Sequence, residues 1–359
     1  MATPPARPTL VTVARLAGVS VASASRVLSG GSATPAMQQR VRAAAEQLGY
    51  VPDAAARSLR AGRTFQLGLA VADIGNPTYV AMMRGVESVI SAAGYRLLLH
   101  STGAETRDEI AMVASLRNGF VDGLIICPIR VSHQLLRALA DAPAPVAVIG
   151  NVPEGTLVDN VRTDSGLGVT LAARHLLKTG RQRLALVNGP ADTTPGASRL
   201  AGFKTVLAEA GLPAKSSAIE SAADFTYADG LEAARRLLDR FAPDAVLCSN
   251  DLLAFAVIRT LADRGLSVPG DVAVTGMDDT ELTEMHLPSL TSVSLEAEAR
   301  GRWAARMLLD RIDHPDLPPR REQMGPRLVI RESSLPATAY RGRMTPVVPG
   351  NGSVTEEQE

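Results

Sequence analysis

Residues 9–30 read TLVTVARLAGVSVASASRVLSG, and this stretch decides how the chain begins to fold. Two short runs with helical periodicity flank Gly18-Val19-Ser20. Thr9 is placed to cap a helix from Val11 to Ala17, and Ser20 a second from Val21 to about Leu28, because their hydroxyls accept from N–H groups that a helix start leaves unpaired. Helices this short bury little unless they cross closely. A helix-turn-helix therefore needs a small residue midway along the first helix, glycine in the turn and apolar residues facing inward. Val13, Ala14, Ala17, Gly18, Val19, Ala24 and Val27 fill those positions. Val21, Ala22, Ser25 and Arg26 are left outward on the second helix, where they can reach base edges in a major groove. A plain helical hairpin is the competing reading.

Working outward, Ser29-Gly30-Gly31-Ser32 is a loop, and Thr34-Pro35 is an N-cap with proline at the first helical position. A third helix runs to Leu48, where Gly49 stops it. Tyr50-Val51-Pro52 is extended, and Asp53 caps a short segment, Ala54–Ala61, before Gly62. Residues 1–64 hold eight arginines, Arg7, Arg15, Arg26, Arg40, Arg42, Arg57, Arg60 and Arg63, against Glu46 and Asp53. The head thus carries a net +6, and the remaining chain −6, because 37 basic and 37 acidic residues sum to +0 overall. Such asymmetry between segments points to a polyanion-binding module and argues against the plain hairpin.

From Leu67 the pattern becomes strand–helix alternation. Strand-like runs are Leu67–Val71, Arg96–His100, Gly123–Cys127, Val146–Ile149, Leu184–Val187, Ala245–Cys248, Val272–Thr275 and Arg327–Ile330, with helical stretches between most of them. This spacing predicts an α/β body of parallel sheets covered by helices, divided into two doubly wound lobes because one sheet of this size would be unusual.

Composition excludes several classes. At 46% hydrophobic and 21% charged the chain is ordinary globular material. No apolar run reaches the roughly 18–20 residues of a membrane span, and no apolar leader follows Met1, so a cytoplasmic location without membrane contact is expected. Cys127 and Cys248 sit in strand-like runs and read as core thiols in a reducing compartment. No metal-ligand spacing occurs, so no metal, no cofactor and no catalytic residue is expected, and the chain is read as a non-enzyme. Ser165-Gly166-Leu-Gly168 starts like a dinucleotide loop, but Leu171 occupies the third glycine's place. Asp278-Asp279 is a carboxylate pair, yet adjacent residues rarely share one acid/base site. Neither a nucleophile elbow nor a phosphate loop is present. The tail, residues 340–359, is rich in Pro, Gly, Ser and Glu and is expected to be disordered.

Residues 9–30 resemble the N-terminal signature of the LacI/GalR family of bacterial transcriptional regulators. Leu48-Gly-Tyr-Val-Pro-Asp-Ala-Ala-Ala-Arg-Ser-Leu-Arg-Ala-Gly62 resembles that family's hinge, and the likeness runs over roughly residues 9–338. The resemblance implies a three-helix helix-turn-helix DNA-binding domain over 9–62 with a hinge helix at 53–61. It implies a periplasmic-binding-protein-like effector core over 65–338. Lobe 1 would take about 65–162 and 295–325, and lobe 2 about 163–293 and 326–338. Function follows as a repressor whose operator affinity is set by a small-molecule effector, with sugars the commonest class. The partners implied are palindromic double-stranded operator DNA, the effector and a second copy of the chain as homodimer; the tail's lack of a leucine heptad favours a dimer over a tetramer.

Carried over by position, Val21 and Ala22 approach base edges and Arg26 a guanine or a neighbouring phosphate, while Ser20, Ser25 and Thr34 contact phosphates. Ala56 and Leu59 match the hinge residues that enter the minor groove, Leu59 as the wedge. Three positions depart from the family pattern: Ser29 for a common Asn, Met37 for a common Thr, and Asp53 for the hinge Asn, which puts a negative charge near phosphates.

In the body, ligands bind at the carboxyl ends of strands. Polar loops there include Asp73–Tyr79, Gly150-Asn151, Thr193–Phe203, Phe225–Tyr227, Ser249–Asp251 and Gly276–Asp279. Matching the family's effector contacts are Asp73, Asn76, Tyr79 and Asn151 from the first lobe and Arg199, Phe225, Asn250 and Asp278 from the second. Asp, Asn and Arg supply donors and acceptors for hydroxyls, and Tyr or Phe covers a ring face. Plainer roles compete: Asn76 as a turn former before Pro77, Asp251 and Asp279 as helix caps, and an Arg199–Asp278 pair. A periplasmic-type sugar-binding protein without transcriptional role, or a nucleotide-dependent α/β enzyme, would share the body but not the basic head.

Overall fold

The computed structural model describes residues 8–28, 30–51 and 62–335. Ser29, Asp53, the hinge segment 53–61 with Ala56 and Leu59, and residues 336–359 lie outside the described residues. The chain divides into two compact units at Phe65/Gln66.

The first unit holds three helices, α1 (Leu10–Ala17), α2 (Val21–Leu28) and α3 (Pro35–Gln47). Helix α1 starts one residue earlier than its periodicity predicts, because Thr9 and Thr12 cap each other's backbone N–H at 3.3 and 2.9 Å. It ends where Gly18 turns left-handed at φ +64°, and the axes of α1 and α2 then differ by 102°, a helix-turn-helix angle. The Ser20 hydroxyl accepts from the Ser23 N–H at 3.1 Å at the start of α2. Val13, Ala14, Ala17, Ala24 and Val27 pack with Val41, Ala44 and Ala45 of α3 into one small core.

The second unit begins with β1 (Gln66–Val71), α4 (Pro77–Ile90), β2 (Arg96–Ser101), α5 (Thr106–Ser115), β3 (Gly123–Ile126), α6 (His133–Ala140), β4 (Val146–Ile149) and β5 (Asp159–Thr163). The chain then builds a second sheet with α7 (Ser165–Lys178), β6 (Leu184–Asn188), α8 (Thr194–Glu209), β7 (Ser217–Ser221), α9 (Tyr227–Arg240), β8 (Ala245–Cys248), α10 (Asp251–Asp263), β9 (Ala273–Met277), α11 (Leu282–Met285) and β10 (Thr291–Ser294). It returns to the first sheet through α12 (Ala297–Asp313) and β11 (Arg321–Met324), and finishes on the second with β12 (Arg327–Val329). The sheet orders are β11-β5-β4-β3-β1-β2 and β12-β10-β9-β8-β6-β7, parallel throughout except where β12 runs against β10. Strand order reverses beside β1 in one sheet and β6 in the other, the places where open α/β sheets leave a crevice.

Four strands are not foreshadowed by apolar runs. DNVRT, SAIES, TSVS and REQM are polar or edge segments, made strands by their neighbours. In β5 the fully buried Asp159 is paired by Arg311 of α12 at 2.8 Å and Arg320 at 3.1 Å, which ties the returning chain to the first sheet. Gly166 and Gly168, the apparent dinucleotide loop, lie inside α7. A Cβ on Gly202 of α8 would stand 2.2 Å from the Gly166 carbonyl oxygen, and one on Gly168 3.0 Å from Val293. These glycines serve helix packing, not phosphate binding. Cys127 and Cys248 are buried and unbridged. No single helix among the described residues is long and apolar enough to cross a membrane.

Candidate functional site

On the first unit, α2 turns a face outward that no other helix covers. Val21 is 43% exposed, Ala22 and Arg26 are exposed, and Ser25 is half-buried. Gly31 sits against Arg26: its N–H donates to the Arg26 carbonyl at 2.8 Å, and a Cβ there would meet the Arg26 Cγ at 2.7 Å. Glycine at 31 thus leaves room for that arginine. Ser20 and Thr34 are exposed at the starts of α2 and α3, where Thr34 accepts from the Met37 N–H at 3.4 Å. The Met37 side chain packs on the head's core, which accounts for an apolar residue there. Arg15, Arg40 and Arg42 are exposed around the same unit.

In the second unit, all eight expected effector residues line one cavity of about 300 Å³. From the first sheet, Asn76 caps α4, its Oδ1 accepting from the Thr78 N–H at 3.2 Å, so it both forms the turn and faces the cavity. Asp73 is exposed at the rim and accepts from the Gly75 N–H at 2.8 Å. The Tyr79 hydroxyl is pushed far above its ordinary range by burial. Asn151 follows β4 with its backbone beside Gly150.

From the second sheet, Arg199 is 6% exposed, donates to the Ser249 carbonyl at 2.5 Å and lies 5.6 Å from the Phe225 ring centroid. The Phe225 ring presses on Gly189, where a Cβ would fall 2.2 Å from it. Asn250 caps α10 through the Leu253 N–H and donates to the Phe225 carbonyl, both at 2.9 Å, so it positions the Phe225 loop from behind. Asp278 is held at φ +110°, a region that side chains rarely adopt, so its neighbours over-determine the placement. Burial raises its carboxyl, and Arg199 and then Arg300 pull it back. Arg199 and Asp278 form no ion pair among the described residues; Arg199 spends its bond on Ser249.

Two of the plainer expectations change. Asp251 is the first residue of α10 but does not cap it. Its buried carboxylate accepts from the Thr280 N–H and hydroxyl, both at 2.9 Å, and from Ser292 at 2.6 Å, bracing the Asp278 loop from beneath. Asp279 pairs with Arg331 at 2.8 Å instead of capping a helix. A charged cavity residue was not expected: Arg300. Arg300 sits on α12 among the buried residues Ala297, Gly301, Ala304, Ala305, Met307 and Leu308. A charge among these residues was its only trace in the sequence.

The two sheets touch across the cavity mouth. Arg130, after β3, pairs with Asp192, after β6, at 2.8 Å. The Thr194 N–H donates to the Ile129 carbonyl at 2.7 Å, and Arg84 of α4 pairs with Glu281. Behind Arg130, Glu109 of α5 is 1% exposed with neither carboxylate oxygen hydrogen-bonded, and burial pushes it up to about 7.

A pH dependence follows. A carboxyl whose folded pKa lies above its unfolded value binds more protons when folded, so stability is full below the unfolded pKa and is lost as pH rises through the folded one. Glu109, Asp251 and Asp278 are all raised, whereas Asp159, held low by its arginines, stays ionised in both states above pH 5 and adds no slope there. The Tm of residues 66–359 is therefore expected to fall between about pH 5 and pH 8, and Glu109→Gln should flatten that fall. Melts that are level in wild type over this range, or equally steep in the variant, would refute the assignment to Glu109.

Comparison with known proteins adds to this geometry. Residues 9–53 match the family described as bacterial regulatory proteins, lacI family, and residues 173–334 match the periplasmic binding protein-like domain. The transcriptional regulator CelR of Thermobifida fusca is 37% identical over 91% of this chain and 98% of its own. The ribose operon repressor of Escherichia coli K12 is 34% identical over 91% of this chain and 99% of its own. Among solved structures, a transcriptional regulator CelR–cellobiose complex superposes with a TM-score of 0.67 at 34% identity, covering 91% of this chain and 100% of that one.

Proposed function

The chain belongs to the lacI family of bacterial regulatory proteins, and from that premise we propose how its two units work: the cavity between the two sheets binds a sugar, and occupancy sets operator affinity. It is a DNA-binding transcriptional regulator with a two-lobed α/β core. We read its place of action as the cytoplasm and its role as non-enzymatic, since its relatives are regulators.

The observation that carries the ligand reading is convergence. Four residues of each sheet, separated by up to 205 positions between Asp73 and Asp278, meet on one cavity. Their chemistry suits a polyhydroxylated ring: carboxylates and amides for hydroxyls, with Tyr79 and Phe225 for its faces. Relatives bear the same direction, one solved with cellobiose and one named for ribose.

The coupling would run through the lobes. The contacts at the cavity mouth are few, and exposed pairs such as Arg130–Asp192 contribute roughly 0–1 kcal/mol each. They bias closure weakly, so a ligand touching both sheets can decide it. A homodimer places two α2 helices on two half-sites of a palindromic operator, with Val21, Ala22 and Arg26 at base edges and Ser20, Ser25 and Thr34 at phosphates. Ala56 and Leu59 of the hinge would enter the minor groove and be ordered or released by lobe closure. A periplasmic-type sugar-binding protein leaves residues 9–53 without a purpose.

A thermal-shift screen of sugars on the full chain tests this. A bound sugar at about 100 times its Kd adds about 2.7 kcal/mol to the native state, and repeating hits with operator gives the sign of the coupling. If every hit leaves operator affinity unchanged, the regulatory reading falls.

A further inference from the structure

We propose that the ligand is a sugar acid whose carboxylate is held by Arg300, an inference that rests on the carbohydrate reading of the cavity. Arg300 is 8% exposed, lines the cavity, has a buried Nε without a hydrogen-bond partner and joins no ion pair among the described residues. Arg199 faces the same space, is equally buried, spends one nitrogen on the Ser249 carbonyl and also leaves its Nε unpartnered. Asp278 is the negative charge that both guanidiniums feel most strongly. One carboxylate thus stands against two arginines.

The other acidic groups nearby do not settle that balance. Asp251 is turned onto Thr280 and Ser292, and burial together with Asp278 keeps it from ionising fully. Glu296, four residues before Arg300 on the chain, also attracts its guanidinium, but less than Asp278 does, and its carboxylate is partly exposed and already faces Arg327 at 3.5 Å and the Ser294 hydroxyl at 3.3 Å. Asp73 and Asp224 are exposed at the rim and accept from their own loops, at the Gly75 and Phe225 N–H groups, where water screens them. Tyr79 and Cys127, which also face Arg300, are neutral because burial raises both, Cys127 to about 12. Arg130 and Glu109 face each other farther out, with Arg130 held by Asp192.

A lone buried guanidinium is strongly unfavourable, and the protein groups around the cavity leave one positive charge in excess of their partners. A sugar hydroxyl offers such a fork one neutral acceptor. A carboxylate offers two parallel acceptors with the missing charge, the geometry that the guanidinium plane matches best. The cavity, about 300 Å³, suits a ligand of monosaccharide size. Position adds to this: Arg300 comes from α12 on the first sheet, whereas Arg199 and Asp278 come from the second. A ligand bridging them engages both lobes.

The test uses the full chain, its Arg300→Met variant and matched pairs of ligands, D-glucose with D-gluconate and D-glucuronate, and D-galactose with D-galacturonate. Calorimetry should show at least one acid binding about 10-fold or more tighter than its neutral partner, and the variant should erase that preference. Without ligand, the variant should melt higher than wild type, because an uncompensated buried charge has been removed. Neutral sugars that bind as well as or better than their acids overturn the carboxylate assignment and leave the cavity reading standing. If no ligand of either kind binds, both fall. A variant that melts lower without ligand shows Arg300 to be paired within the protein and overturns the inference.

Discussion

A chain shortened to residues 66–359 should lose specific operator binding by at least about 10³-fold, the usual gap between specific and non-specific affinity, while its ligand-induced rise in Tm stays as in the full chain. The reason lies in how charge and contacts are divided. The net +6 of residues 1–64 is removed and a body of −6 remains, so neither counterion release nor base contacts survive. The cut falls at Phe65/Gln66, where the chain divides into two compact units, and every cavity residue lies beyond it. Fluorescence anisotropy with labelled operator reads the first half of this expectation and thermal shift with the sugar reads the second. A shortened chain that still binds operator specifically, or that no longer responds to the sugar, would end the division of labour between a reader and a sensor.

The second large effect is expected from a single methyl group. Gly301→Ala should lower the Tm of the core by roughly 6 °C or more, taking about 4 kcal/mol or more of strain, less about 1 kcal/mol of helix propensity, and 2–4 °C per kcal/mol. A Cβ at Gly301 would stand 2.2 Å from the Met82 carbonyl oxygen, and one at Gly85 2.0 Å from that of Glu298. Helices α4 and α12 thus touch backbone to backbone, and no side chain can swing aside to make room. Alanine's better helix propensity returns only about 1 kcal/mol. Helix α12 also carries Arg311 onto the buried Asp159 and brings Arg300 to the cavity, so forcing it outward disturbs both. Gly325→Ala is the control, since nothing lies within 4 Å of its would-be Cβ and it should melt as wild type does. If Gly301→Ala melts within about 2 °C of wild type, α4 and α12 do not pack as closely as described.

Much of this was legible beforehand for physical reasons that differ by element. The helix-turn-helix was readable because its determinants are local: Thr9 and Ser20 cap within three residues, Gly18 turns within one, and Val13, Ala14, Ala17, Ala24 and Val27 follow helical spacing. Strands β1, β3, β4, β6 and β8 were readable because parallel strands covered on both faces are continuous apolar runs. Strands β5, β7, β10 and β11 were not, because their residues are largely polar and only pairing with neighbouring strands makes them extended. Asp159 inside β5 is tolerable only because Arg311 and Arg320 arrive from more than 150 residues away. The eight candidate effector residues were named through the family resemblance and through their place at strand ends, and the topology brings them to one cavity. Their partners escaped notice. That Asn250 holds the Phe225 carbonyl, that Asp251 braces the Asp278 loop and that Asp279 pairs with Arg331 are contacts between loops.

The sequence by itself determined that a basic helical reader precedes an α/β body, because capping, periodicity and charge act over a few residues and need no partner. Only the tertiary structure decided which polar groups share the cavity and which charge is left over there. Arg300 shows the reason. Whether a buried arginine is paired depends on every element packed around it, and those elements come from both sheets and from α12, which returns to the first sheet only after the second is built.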